Sequence, residues 1–226
     1  MQVVRTAIAA AASQAGRNAD DICLLVVSKN FPPDALCAAY NAGQLCFAEN
    51  YVQEALDKIA ALQELAIEWH FIGPIQSNKT RAIAENFSWV HSVDRLKVAE
   101  RLSGQRPVTF PPLQVCLQVN ISQEASKSGI APDEVELLAH AVATLPNLKL
   151  RGLMTIPEPS DDVTEQRHSF AQLRKLYDRI NQQGLQLDTL SMGMSHDFVS
   201  AIAEGATMVR IGTAIFGKRI NNKETL

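Results

Sequence analysis

The sequence predicts an α/β fold: a single-domain (β/α)8 TIM barrel preceded by an extra N-terminal helix. Three observations predict it. Short runs rich in valine and isoleucine alternate with longer stretches of helical period, the mark of repeated β/α units around a parallel sheet. Eight such runs can be counted, whereas an open doubly wound sheet usually has about five or six parallel strands. The 226 residues, 46% of them hydrophobic, suit one large core and sit near the usual span of a single barrel.

The elements follow in order. Residues 1–18 read as a helix, because Met1 to Ala12 carries one positive charge, Arg5, and an alanine-rich centre that suits a helix better than a secretion signal. Gly16 offers the stop. The barrel is expected over 22–217, with strands at Ile22 to Val27, Gln44 to Glu49, Glu68 to Ile72, Trp89 to Val93, Leu113 to Asn120, Lys149 to Thr155, Asp188 to Met192 and Met208 to Phe216. Between them lie amphipathic stretches such as Pro33 to Ala42, Val52 to Leu65, Arg95 to Leu102, Glu134 to Leu145, Glu165 to Gln183 and Asp197 to Glu204. A short tail, 218–226, leaves no room for a second domain. Ile156 to Val163, after strand six, reads as a solvated linker on the face where such barrels carry their sites.

Composition narrows the function. A net charge of -3 without a basic cluster argues against nucleic acid as a partner. No apolar run reaches the roughly 18 residues of a membrane span. The four cysteines, Cys23, Cys37, Cys46 and Cys116, show no C-x-x-C pair and no zinc-ligand spacing, so no metal site and no disulfide is expected. They read as reduced thiols packed in the core of a cytoplasmic protein.

The loops after each strand form the functional mouth of a β/α barrel, so the residues there matter most. Strand one ends in Val27-Ser28-Lys29. Burial at that point favours the neutral amine that condenses with an aldehyde, although a lysine snorkelling to water is the better reading of this residue alone. After strand seven, Ser191-Met192-Gly193-Met194-Ser195 brings two hydroxyls and a glycine to a helix start, and Gly212 and Thr213 add to them from strand eight. They form either an ordinary cap or a phosphate cradle. Arg210 lies inside the apolar run Met208-Val209-Arg210-Ile211 and needs a partner, either an ion pair or a ligand. A lysine for an imine, a phosphate cradle and an arginine for a pyridine nitrogen are together the parts of a pyridoxal phosphate site.

Val27-Ser28-Lys29, Phe47-Ala48-Glu49-Asn50-Tyr51-Val52-Gln53-Glu54 and Trp69-His70-Phe71-Ile72-Gly73-Pro74-Ile75-Gln76-Ser77-Asn78-Lys79 resemble the pyridoxal phosphate homeostasis protein family. Asn120, Ser126-Lys127-Ser128-Gly129, Gly152-Leu153-Met154-Thr155, Leu190 to Asp197 and Val209 to Gly217 continue the resemblance in order, across nearly the whole chain. It implies a fold-type III barrel like the N-terminal barrel of alanine racemase, with pyridoxal 5'-phosphate as an imine on Lys29. By the same resemblance Ser191, Ser195, Gly212 and Thr213 hold the phosphate and Arg210 faces the pyridine nitrogen. Asn50, Met194, His70 and Met154 line the ring. Asn30-Phe31 departs from the family pattern, which puts only the rim of the site in doubt.

The function so implied is non-catalytic: a carrier or buffer of the cofactor, expected as a monomer, handing its ligand to pyridoxal phosphate-dependent apoenzymes. A weak amino-acid racemase and a cofactor-free imine-forming aldolase are the alternatives. A racemase needs acid and base on opposite faces of its substrate, and Tyr51 is the sole tyrosine near the mouth, since Tyr40 and Tyr177 fall within predicted helices. Lys79 and Lys127 read as solvated loop lysines.

Overall fold

In the computed structural model the eight predicted runs close into a parallel barrel in sequence order, each strand pairing with the next and the last with the first. Residues 1–124 and 127–217 are described; the expected tail, 218–226, lies outside them, as does Ser126. Helix α1 (Gln2–Gln14) precedes β1 (Cys23–Val27), α2 (Pro33–Asn41), β2 (Cys46–Glu49), α3 (Val52–Ala61), β3 (Glu68–Phe71) and α4 (Thr80–Asn86). β4 (Trp89–Val93), α5 (Leu96–Gln105), β5 (Leu113–Gln118), α6 (Val135–Ala143), β6 (Leu148–Met154), α7 (Val163–Gln182), β7 (Thr189–Ser191), α8 (Phe198–Ala203), β8 (Met208–Ile211) and α9 (Thr213–Phe216) complete it.

The N-terminal helix forms as read from its alanines, and Gly16 follows it in the left-handed region at φ 66°. It buries Val4, Ile8, Ala11 and Ala12 and packs against α8. Arg17 fixes that contact by donating to the carbonyls of Ile202 and Ala206 at 3.0 and 2.7 Å.

The last strand is shorter than the sequence suggests. Its apolar run continues to Phe216, yet β8 stops at Ile211 and residues 213–216 turn into α9. Gly212 sits at the break: a Cβ there would lie 3.0 Å from the carbonyl oxygen of Val27, a tighter contact than side chains usually make, so the chain crosses close over the end of β1. The amides of Ile215 and Phe216 then bond back to the Gly212 carbonyl at 2.9 and 3.0 Å.

Alternation along the strands separates two interiors. Val26, Phe47, Trp69, Phe71, Val90, Val115, Leu117, Leu153, Leu190, Val209 and Ile211 join the large apolar layer between sheet and helices. Their neighbours form two small apolar groups, Leu25, Ala48 and Met208, and Trp89, Cys116 and Met154. The rest of that second face is polar: His70, His91, Ser191 and Arg210 are all buried. A polar interior of this kind has to be fully hydrogen-bonded, and that requirement shapes the site.

Candidate functional site

Lys29 emerges half-buried from the carboxyl end of β1. The residue before it is clamped. The Ser28 hydroxyl donates to Glu49 Oε1 at 2.6 Å, and Lys58 Nζ donates to the Ser28 carbonyl at 2.8 Å and to Glu49 and Glu54 at 2.7 and 2.6 Å. Burial pushes the Glu49 carboxyl up, against the pull of Lys58 and Ser28. Sequence reasoning passed over this cluster, because Lys58 and Glu54 lie on a helix face that reads as solvent-exposed. Glu54 also accepts from the Asn30 amide at 2.5 Å, and Asn30 takes φ 65°, a conformation asparagine tolerates well. Phe31 stacks on Phe216 with ring centroids 4.6 Å apart, so the Asn30-Phe31 departure joins the loop after β1 to α9.

Three neighbouring strand ends meet around Lys29. Val27 pairs with Ala48 and the Ser28 amide bonds to the Ala48 carbonyl, so the register carries Lys29 on beside Asn50 at the end of β2. On the other side Gly212 lies against Val27. The loop after β7 completes the rim. The Thr213 hydroxyl donates to Ser195 Oγ at 3.2 Å, bringing together two of the hydroxyls expected to hold a phosphate. The Met194 amide donates to Asp197 Oδ1 at 2.5 Å, and the Arg210 amide to the Gly193 carbonyl at 2.9 Å. Gly193 has φ 93°, and a Cβ there would come 2.6 Å from that of Ala201.

Arg210 is buried within the barrel. Its Nη1 donates to Ser191 Oγ and its Nη2 to the Thr155 carbonyl, both at 2.9 Å. Among the described residues no carboxylate lies within ion-pair distance of it, which rules against the structural ion pair left open by the sequence. Burial lowers its pKa to about 10.

Ser191 is therefore not on the rim with Ser195. As the last residue of β7 it faces inward, and its hydroxyl is engaged by Arg210 and, at 2.8 Å, by His91 Nδ1. His91 Nε2 meets His70 Nδ1 at 3.0 Å, and His70 Nε2 meets Glu68 Oε1 at 2.9 Å. The run is consistently satisfied by neutral rings: arginine donates to serine, serine to His91, His91 to His70 and His70 to the carboxylate. Burial holds His91 well below the ordinary histidine range and also opposes the charge on His70, whose pKa its Cys46 and Glu68 contacts nonetheless raise. Both nitrogens of His70 are thus engaged inside the barrel, and it reaches the mouth only through His91 and Ser191. His91 itself carried no sequence signal, being one of two adjacent polar residues in an otherwise apolar strand.

Met154 is buried with Trp89 and Cys116, and Met194 is half-buried beside the rim. Asn50 Oδ1 is buried without a hydrogen-bond partner among the described residues. Lys79 is exposed, while Lys127 pairs with Glu124. Tyr40 and Tyr177 spend their hydroxyls on the Ala66 amide and the Leu187 carbonyl, and Tyr51 is 57% exposed.

Residues 5–220 match the family model described as alanine racemase, N-terminal domain. A protein of Pseudomonas aeruginosa named pyridoxal phosphate homeostasis protein is 60% identical over 216 residues, which cover 96% of this chain and 93% of that one. This chain belongs to the pyridoxal phosphate homeostasis protein family. The Escherichia coli K12 protein of that name is 52% identical over 224 residues, covering 98% and 96% of the two chains. Among solved structures, PipY of Synechococcus elongatus with pyridoxal phosphate bound superposes with a TM-score of 0.82 at 40% identity, over 93% of this chain and all of PipY. Alanine racemase of Corynebacterium glutamicum, at 18% identity and a TM-score of 0.70, shares the fold; this chain spans 63% of its length. Membership in the homeostasis protein family agrees with the closed barrel described above and with the strand-end motifs that suggested it.

Proposed function

We propose that this chain binds pyridoxal 5'-phosphate reversibly, as an imine on Lys29, and serves as a carrier or buffer of the cofactor rather than as an enzyme. The carrying observation is Arg210: a buried guanidinium held by a hydroxyl and a carbonyl, with no carboxylate partner among the described residues, beneath a mouth that presents a lysine and paired hydroxyls. The unpartnered Asn50 Oδ1 at the end of β2 fits a ligand there as well. The names of the relatives and the ligand in PipY point the same way.

Each residue then has one task. Lys29 attaches the cofactor, Ser195, Thr213 and the Gly212 backbone hold its phosphate, and Asn50, Met194 and Met154 line its ring. Arg210 donates to the ring nitrogen, while Ser191, backed by His91 and His70, aims the guanidinium. When bound, the cofactor supplies an aldehyde carbon for which Lys29 and free amines compete. An arginine at the ring nitrogen disfavours its protonation and so weakens the electron-withdrawing power that most pyridoxal phosphate enzymes draw on, although a racemase can tolerate this. A racemase would also need a second acid or base opposite Lys29, and Tyr51, the tyrosine after β2, is 57% exposed. On this reading the protein works as a monomer in the cytoplasm, passing its ligand to apoenzymes.

The test is release of a deuterium label from the α-carbon of amino acids by the cofactor-loaded protein. The carrier reading expects no release above that of free cofactor. Release at about 1 per second or faster, within the usual range of enzymes, overturns it.

A further inference from the structure

At the end of the barrel opposite Lys29, three potential metal ligands converge, with a fourth nearby. Cys23, Cys46 and Glu68 are the first residues of β1, β2 and β3, and His70 follows Glu68 on the same face. Cys46 and Glu68 are register partners. One ligand atom each from Cys46, Glu68 and His70 lies within 4.8 Å of the other two. Cys23 packs with Cys46 against the same small apolar group, which places it next to this set.

We propose that Cys46, Glu68 and His70, with Cys23 in the fourth position, form a binding site for a zinc-like divalent cation. Distances support it. A tetrahedral ion with bonds of about 2.0 Å to nitrogen and oxygen and about 2.3 Å to sulfur separates its nitrogen and oxygen ligands by about 3.3 Å and its sulfur and oxygen ligands by about 3.5 Å. The corresponding separations here are 2.9 Å between His70 Nε2 and Glu68 Oε1, and 3.6 Å between Cys46 Sγ and Glu68 Oε1. A shift of a few tenths of an ångström at these two pairs matches them to the ion, and Cys23 has to swing further in to complete the set.

The chemistry of the set selects the metal. Thiolate and imidazole favour zinc over magnesium or calcium, which prefer all-oxygen shells. Coordination through His70 Nε2 moves its proton to Nδ1, which then donates to His91 Nε2 and reverses that contact relative to the metal-free run, so the buried histidine pair provides the outer support that orients a metal-bound imidazole. Each ligating thiol gives its proton to solvent as the bond to the metal forms. Entry is open, since the Glu68 side chain is 45% exposed. The set escapes sequence motifs because it draws its first ligand from each of three successive β/α units instead of from one loop.

The experiment loads chelator-stripped protein with Co(II) or Zn(II). The expected result is about one ion per chain retained through dialysis, with the visible d–d bands of tetrahedral cobalt. The double variant Cys46→Ser/Glu68→Gln should hold the ion at least about 100-fold more weakly, since loss of an outer-shell partner alone costs about 10- to 100-fold. A second readout needs no substitution: zinc should slow alkylation of Cys46 while leaving Cys37, on α2, unaffected. Equal retention by the folded variant, or alkylation of Cys46 indifferent to zinc, overturns the site. If the variant fails to fold, the alkylation result decides alone.

Discussion

Replacing Arg210 by glutamine separates an arginine that serves a ligand from one that serves the fold. Burial lowers the guanidinium from its ordinary value to about 10, a cost on the order of 3 kcal/mol for keeping it charged inside the barrel. The charged form is the disfavoured one, so that cost persists at every pH below about 10 and is relieved only above it. Glutamine removes the charge but keeps one amide donor. One of the two acceptors, Ser191 Oγ or the Thr155 carbonyl, then loses its partner, at about 1–3 kcal/mol. The two effects nearly cancel, and the Tm of the cofactor-free protein should stay within about 5 °C of the wild type. Cofactor retention should fall far more. Loss of a charge-assisted hydrogen bond to the ring nitrogen is worth about 1.5–3 kcal/mol, or about 10- to 150-fold in affinity. Equilibrium titration in the visible, beside a thermal melt of the cofactor-free protein, reads both. Unchanged affinity refutes the ligand role. So does a drop in Tm of about 8 °C or more, the size expected from breaking a buried ion pair worth about 3–5 kcal/mol.

Two further predictions rest on the same geometry. Lys58→Met leaves Glu49 buried without its cation and should cost about 3–5 kcal/mol in denaturant unfolding at neutral pH. Burial already raises the Glu49 pKa above its ordinary 4.5, and a carboxyl raised in the folded state stabilises below its unfolded pKa and loses that contribution as pH rises through the folded one. The deficit should therefore shrink as pH falls towards 4.5, and a deficit independent of pH counts against a charged Glu49 as its source. Ser195→Ala and Thr213→Ala should each weaken retention of pyridoxal phosphate by roughly 1 kcal/mol, about fivefold, and affect pyridoxal much less, because only the phosphate meets these hydroxyls. Equal loss for both ligands would place the phosphate elsewhere.

The barrel was legible because each strand carries its own local signal: a short β-branched run, then a helical period. The end of β8 was not, since Ile211, Ala214, Ile215 and Phe216 continue an apolar pattern that a close approach at Gly212 interrupts. Lys29, Ser195 and Thr213 could be picked out because strand-end position is itself a functional signal in this architecture. The place of Ser191 was not legible. Its hydroxyl resembles that of Ser195 in sequence, and only the alternation of β7 turns it inward to Arg210 and His91. The polar run from Arg210 to Glu68 links four strands, and nothing local to any one of them announces it. The clamp of Lys58 on Ser28 was hidden for a similar reason: it depends on which face of α3 meets β2.

Borohydride reduction of the cofactor-loaded protein, followed by peptide mapping, tests the central claim most directly. The account predicts a visible band that disappears on reduction and an added pyridoxyl mass on Lys29, with the band absent from Lys29→Ala. A full band in that variant, or the added mass on Lys79 or Lys127 instead, contradicts it.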